Sequence, residues 1–76
     1  MMRTFQVWNS ESNNLIDEFD TEVAALDEIR RRVERRGEHV VRSLALIGLD
    51  ATDQVATVIE GERLLHLVRE RTSLIA

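Results

Sequence analysis

The sequence contains no cysteine, no proline and no lysine, and it has only three glycines and three aromatic residues, Phe5, Trp8 and Phe19. Without cysteine there is no disulfide staple, no thiolate nucleophile and no zinc centre of the cysteine type, so the fold must rest on its aliphatic core. The missing proline and scarce glycine, set beside an apolar content of 43%, exclude a linker or a disordered low-complexity chain. Nowhere do about 18 uncharged apolar residues follow one another, and the start "MMRTFQVWNSES" has no apolar stretch of signal-peptide length. The expectation is a cytoplasmic protein without membrane attachment. Its 76 residues allow one domain, residues 1–76. A domain of that size buries only about 60 to 65% of its unfolded surface, so a partner subunit would add to a modest stability.

All ten basic residues are arginine. Arginine suits bidentate recognition of phosphate or carboxylate, but isolated arginines carry no recognition geometry by themselves. The net charge of −4 argues against broad attraction to nucleic-acid backbones.

Along the chain, Arg3 to Trp8 alternates, with Phe5 and Val7 on one face and Thr4, Gln6 and Trp8 on the other, which predicts a strand. The polar cluster "NSESNN" then reads as a turn, in which Asn13 or Asn14 can adopt the left-handed conformation, and Leu15 to Phe19 reads as the return strand. In "FDTEVAALDEIRRRVERRG" either Asp20 or Thr21 can cap a helix that Gly37 ends. Its buried stripe is expected to be Val23, Leu26, Ile29 and Val33. His39 to Ile47, "HVVRSLALI", reads as a central strand, Gly48 to Asp53 as a turn, Gln54 to Ile59 as a fourth strand, and Glu62 to Arg71 as a second helix burying Leu64, Leu65 and Val68. The two halves, each a hairpin followed by a helix, look faintly alike, as an internal repeat would.

The order β-β-α-β-β-α, with a right-handed crossover, predicts a two-layer α+β fold: a four-stranded antiparallel sheet in order 2-1-3-4 with both helices on one face. Strands two and four become the edges. The second carries Asp17 and Glu18, which discourage pairing with another chain, whereas "VATVI" in the fourth has no charge and no proline. Such an edge is covered by a partner, covered by the C-terminal "TSLIA" folding back, or prone to aggregation. A homodimer formed through the sheet is therefore expected, with Trp8, Val55, Thr57 and Ile59 as candidate interface residues. If Phe5 and Val7 face the helices, Trp8 stands on the open sheet face, where an aromatic ring invites cover.

Five arginines crowd into positions 30 to 36, but on a helical wheel they do not converge. Arg31 and Arg35 face away from the stripe, Arg32 and Arg36 flank it on one side, and Arg30 flanks it on the other. Asp27 and Glu28 precede Arg31 and Arg32 by four residues, the favourable order for helix ion pairs. Acids lead and bases follow, as the helix dipole prefers. A local anion or nucleic-acid contact would use Arg31, Arg35 and Arg36, joined by Arg42.

Few residues invite chemistry. His39 and His66 lack the spacing of a metal motif; His39 is expected to complement the first helix's C-terminus. Asp17, Glu18, Asp20 and Glu22 read as surface and cap, Asp50 and Asp53 as turn formers without the remainder of a calcium loop, and Gly37, Gly48 and Gly61 as boundaries rather than a phosphate cradle. Ser10, Ser12, Ser43 and Ser73 have no histidine in useful context. No enzyme and no cofactor are expected.

The stretch "LIDEFDTEVAALDEIRRRVE" resembles the strand-then-helix passage of HicB-like antitoxins, in which an aspartate and a threonine precede an alanine-rich helix packed on a small sheet. The resemblance covers residues 4–47; an aspartate-leucine-proline-glycine type motif and a C-terminal DNA-binding segment are both missing. It implies an antitoxin-like regulator that contacts nucleic acid or a ribonuclease. The chain also looks like small uncharacterised bacterial α+β domains, a resemblance that implies no activity. From the residues themselves, the expectation is a non-catalytic interaction module that dimerises through its sheet and binds a protein partner.

Overall fold

The computed structural model describes the backbone of residues 2–75 and the side chains of residues 4–73. The elements are β1 (Met2–Asn9), β2 (Asn14–Phe19), α1 (Glu22–Arg36), a 3-10 turn (Glu38–Ser43), β3 (Leu44–Asp50), β4 (Val55–Glu60) and α2 (Glu62–Ile75). All strand pairs are antiparallel and the sheet order is β2-β1-β3-β4, so the α+β architecture and topology are those expected.

Local chemistry explains the punctuation. At the first hairpin the Asn9 carboxamide oxygen accepts hydrogen bonds from the backbone N–H groups of Glu11 and Ser12, both at 3.0 Å, and Asn13 takes the left-handed conformation at φ 58°. Thr21, rather than Asp20, caps α1: its hydroxyl accepts from the Ala24 N–H at 3.1 Å. Gly37, at φ 95°, ends α1 by donating its N–H to the Val33 carbonyl at 2.7 Å. The β3–β4 turn is organised by Asp50, whose carboxylate accepts from the Thr52 N–H, the Thr52 hydroxyl and the Gln54 N–H. Those bonds, the Thr52 hydroxyl first, hold the Asp50 carboxyl below the usual carboxylate range.

The core is one layer between the helices and one face of the sheet. Phe5 and Val7 from β1, Leu44 and Leu46 from β3, Ala25, Leu26 and Ile29 from α1, Leu64 and Val68 from α2, and Val41 from the 3-10 turn form a single buried cluster. Ile29, Leu46, Leu64, Val7 and Val68 are the largest side chains fully withdrawn from water, each worth about 1.5 to 3 kcal/mol in transfer free energy.

Three sequence expectations require correction. Residues 38–43 form the 3-10 turn, not the first half of a strand, even though Val40 and Val41 favour extended backbone. The reason is the length of the neighbour: β1 ends at Asn9, which pairs with Leu44, so nothing remains for earlier residues to pair with. Val41 instead drops into the core and the Ser43 hydroxyl donates to the Val40 carbonyl at 3.0 Å. At its other end β3 runs through Gly48 to Asp50, so Gly48 is a strand residue rather than the start of the turn. It is buried and lies opposite Phe5. Val23 is 49% exposed, because α1 is rotated so that Ala25, Leu26 and Ile29 point inward and Val33 is only half-buried. Ala25 is fully buried.

Helix α2 is longer than its apolar period suggests. Residues 72–75 continue it instead of returning along β4, while Ala76 lies outside the described residues. Two bidentate ion pairs fasten α2 to the rest of the domain. Arg71 donates to both oxygens of Asp27 at 2.8 and 3.2 Å, and Arg69 to both oxygens of Glu38 at 2.8 and 2.7 Å. Each guanidinium, chiefly through its hydrogen bonds, holds its partner carboxyl below the usual range. Among the described residues no helix is long and apolar enough to cross a membrane.

Candidate functional site

The strand registers sort the paired, described residues of the sheet between its two faces. Phe5 and Val7 point to the helices, which puts Thr4, Gln6 and Trp8 on the opposite, open side. Their cross-strand partners share that side. One row across the sheet is Leu15, Trp8, Ala45 and Glu60; the next is Glu18, Gln6, Ile47 and Val58; the third is Thr4, Leu49 and Val55. Among the described residues no helix covers this face.

The centre of the face is apolar. Ala45 is 5% exposed yet lies outside the core cluster; Ile47 and Leu49 are half-buried, while Val58 and Val55 are 47% and 61% exposed. Trp8 is half-buried and held in place: its indole N–H donates to the Gln6 carboxamide oxygen at 2.9 Å, and the Gln6 amide donates to Glu18 at 2.8 Å. This chain of bonds spans β1 and β2 and fixes the plane of the ring. The charged members of the face, Glu18 and Glu60, stand at its margins, and no basic residue occupies it among the described strand positions.

The predicted interface residues therefore divide. Trp8 and Val55 belong to the open face. Thr57 and Ile59 alternate to the other side, where Ile59 packs against the core and Thr57 lies opposite Gly48. What unites Val55, Thr57 and Ile59 is the β4 edge, exposed at every position but Ile59, which is half-buried. Face and edge are distinct surfaces that meet at Val55 and Val58. The run of aliphatics in "LALIGL" gives no hint that Ala45, Ile47 and Leu49 look outward; only the register with β1 reveals it.

The arginines stay dispersed. Arg30 pairs with Glu34 at 2.6 Å and Arg32 with Glu28 at 3.7 Å; Arg31 sits 3.8 Å from Glu28. The expected Asp27 pair with Arg31 does not form, since Asp27 turns to Arg71 and Arg30. Arg35 and Arg36 are exposed and enter no ion pair among the described residues, as does Arg42 at the end of the 3-10 turn.

A hollow of about 420 Å³ lies between the 3-10 turn and the start of α2, lined by Glu38, His39, Val41, Arg42, Leu65 and Arg69 among others. Its two ends are already joined by the Glu38–Arg69 pair. His39 is exposed beside Gly37 at the end of α1, and His66 faces Glu70 at 3.0 Å on the outside of α2. Among the described residues no group of three histidines or carboxylates is placed to hold a metal ion. The surface with a coherent chemical character is thus the open sheet face with its adjoining edge. No family model, no curated protein and no solved structure matches this chain.

Proposed function

We propose that the protein is a non-catalytic interaction module that pairs with a second copy of itself along β4 and offers its open sheet face to a protein partner. The observation that supports this reading is the asymmetry of the sheet edges. Strand β2 is guarded by the charges of Asp17 and Glu18, whereas the register irregularities, opposite Val7 and Trp8 on β2 and opposite Gly48 and Leu49 on β4, are common to both edges. Strand β4 presents "VATVI" to solvent with no charge, no proline and, among the described residues, no returning segment over it. Natural sheets blunt exposed edges unless the edge is used. Self-pairing is the economical use, because β4 places no charge between Val55 and Ile59 to meet its own copy across the edge.

The experiment is sedimentation velocity over a range of concentrations on the native chain and on Ala56→Lys, which sets a cation on the exposed edge. A concentration-dependent dimer that becomes a monomer in the variant supports the reading. A native chain that stays monomeric removes the edge-pairing half of it. Low-salt retention of the chain on nucleic acid, lost in Arg35→Ala/Arg36→Ala, would instead favour the antitoxin-like regulator, since Arg31, Arg35 and Arg36 are the cations that reading needs.

A further inference from the structure

The open sheet face has dimensions, a charge pattern and a rigid aromatic anchor, and together these define what fits it. Strands β1, β3 and β4 carry its apolar rows. At about 4.8 Å between strands and about 6.7 Å between same-face residues, this block of three strands and three rows spans roughly 10 by 13 Å between outer Cα positions, with Trp8, Ala45, Ile47, Leu49, Val55 and Val58 apolar and Thr4, Gln6 and Glu60 polar. Its width matches one α-helix of about 10 to 12 Å diameter. Sheets of this architecture ordinarily take helices as their covering layer, and this sheet already takes two on its other side.

The margins supply the sign. Glu18 and Glu60 sit at opposite sides of the patch, β2 and β4 respectively, and no described basic side chain on that face neutralises them. A second copy laid on the face would bring two more carboxylates against these. An anionic membrane surface is opposed for the same reason.

Resting on the interaction-module reading, we infer that the open face receives an amphipathic helix of a partner protein, its apolar stripe lying over Trp8, Ala45, Ile47, Leu49 and Val58, and basic residues along its borders meeting Glu18 and Glu60. The hydrogen bonds from Trp8 through Gln6 to Glu18 hold the indole in the orientation seen here, so the ring requires no reordering when the helix lands. Apolar contact provides the affinity; the two glutamates select the partner.

The test uses the full chain and two synthetic amphipathic helical peptides with the same leucine face, one bordered by lysines and the other by glutamates. Trp8 is the sole tryptophan, so its fluorescence reports cover of the face directly. The lysine-bordered peptide should shift the emission to the blue and bind about tenfold more tightly than its glutamate counterpart at low salt. Glu18→Gln/Glu60→Gln should erase that preference, and Ile47→Lys should abolish binding of either peptide. Should Ile47→Lys fail to fold by far-UV circular dichroism, Val58→Lys, at an exposed position, takes its place. Equal affinity for the two peptides, or no emission shift with either, overturns the inference. So does a blue shift on concentrating the protein alone that Ile47→Lys removes and Ala56→Lys leaves, since the occupant is then a second copy. A monomer that binds the lysine-bordered peptide sinks only the β4 pairing, and a dimer that ignores it sinks only the helix-docking inference.

Discussion

Ile29 and Val23 lie on the same helix with branched aliphatic side chains, and their spacing alone gives them the same fate. The structure separates them: Ile29 is wholly buried and Val23 is 49% exposed. Truncating Ile29 to alanine removes three carbons from a sealed site. At about 0.8 kcal/mol per buried carbon the transfer loss is about 2.4 kcal/mol, and the cavity adds to it, for a total of about 3 kcal/mol after a small gain in helix propensity. Val23→Ala removes two carbons at roughly half-burial, about 0.8 kcal/mol, and alanine returns about 0.5 kcal/mol of that as helix propensity. Its net effect should be close to zero. For a domain of this length, with a total stability of roughly 4 to 11 kcal/mol, the first change lowers the melting temperature by about 12 to 24 °C and the second by no more than about 2 °C. Urea denaturation followed by circular dichroism measures both, with unchanged slopes confirming that the folded states are comparable. Equal destabilisation by the two substitutions would refute the rotation of α1 described above and restore the stripe that spacing suggests.

Two further outcomes concern the turns and the ion pairs. Asp27, Glu38 and Asp50 are all held below the usual carboxylate range, so their contribution to stability is complete above the unfolded-state value and disappears as the pH falls through the folded-state values. The melting temperature should therefore decline as the pH drops below about 4.5, and Asp27→Asn/Glu38→Gln/Asp50→Asn should be flatter over that limb; superimposable acid limbs would count against the assigned bonds. Gly61 takes φ 64° with open space where a Cβ would project, so Gly61→Ala should cost about 1 kcal/mol from backbone conformation alone, and Gly61→Asn less, as read by thermal melts. A neutral Gly61→Ala would mean that the β4–α2 junction does not need the left-handed backbone.

The topology was readable because each level of the chain agrees with the next. Alternation in Arg3 to Trp8, asparagines at the first turn, Thr21 before α1 and Gly37 after it all point to one arrangement, and handedness then orders the strands. The failures share a cause. Val40 and Val41 have strand propensity, but a strand needs a neighbour and β1 ends first; Val23 has the right spacing, but α1 turns Ala25, Leu26 and Ile29 inward. Both depend on partners distant in sequence, which local pattern does not encode. The open face was legible only through Trp8, whose alternation with Val7 was plain. The aliphatics of β3 that complete it are hidden in a run where inward and outward residues are chemically alike, and the bond from Gln6 to Glu18 requires the pairing of β1 with β2.

Only Gly61 stands between the last residue of β4 and the first of α2. A junction of one residue leaves no slack, so the strand cannot peel from β3 without dragging the helix, and the helix cannot lift without tearing Arg69 from Glu38 and Arg71 from Asp27. Strand β4 and helix α2 are therefore expected to open and close as one cooperative unit. In hydrogen exchange the amides of Val55–Glu60 and of α2 would then share a single opening free energy, although one segment lies at the rim of the sheet and the other lines the core.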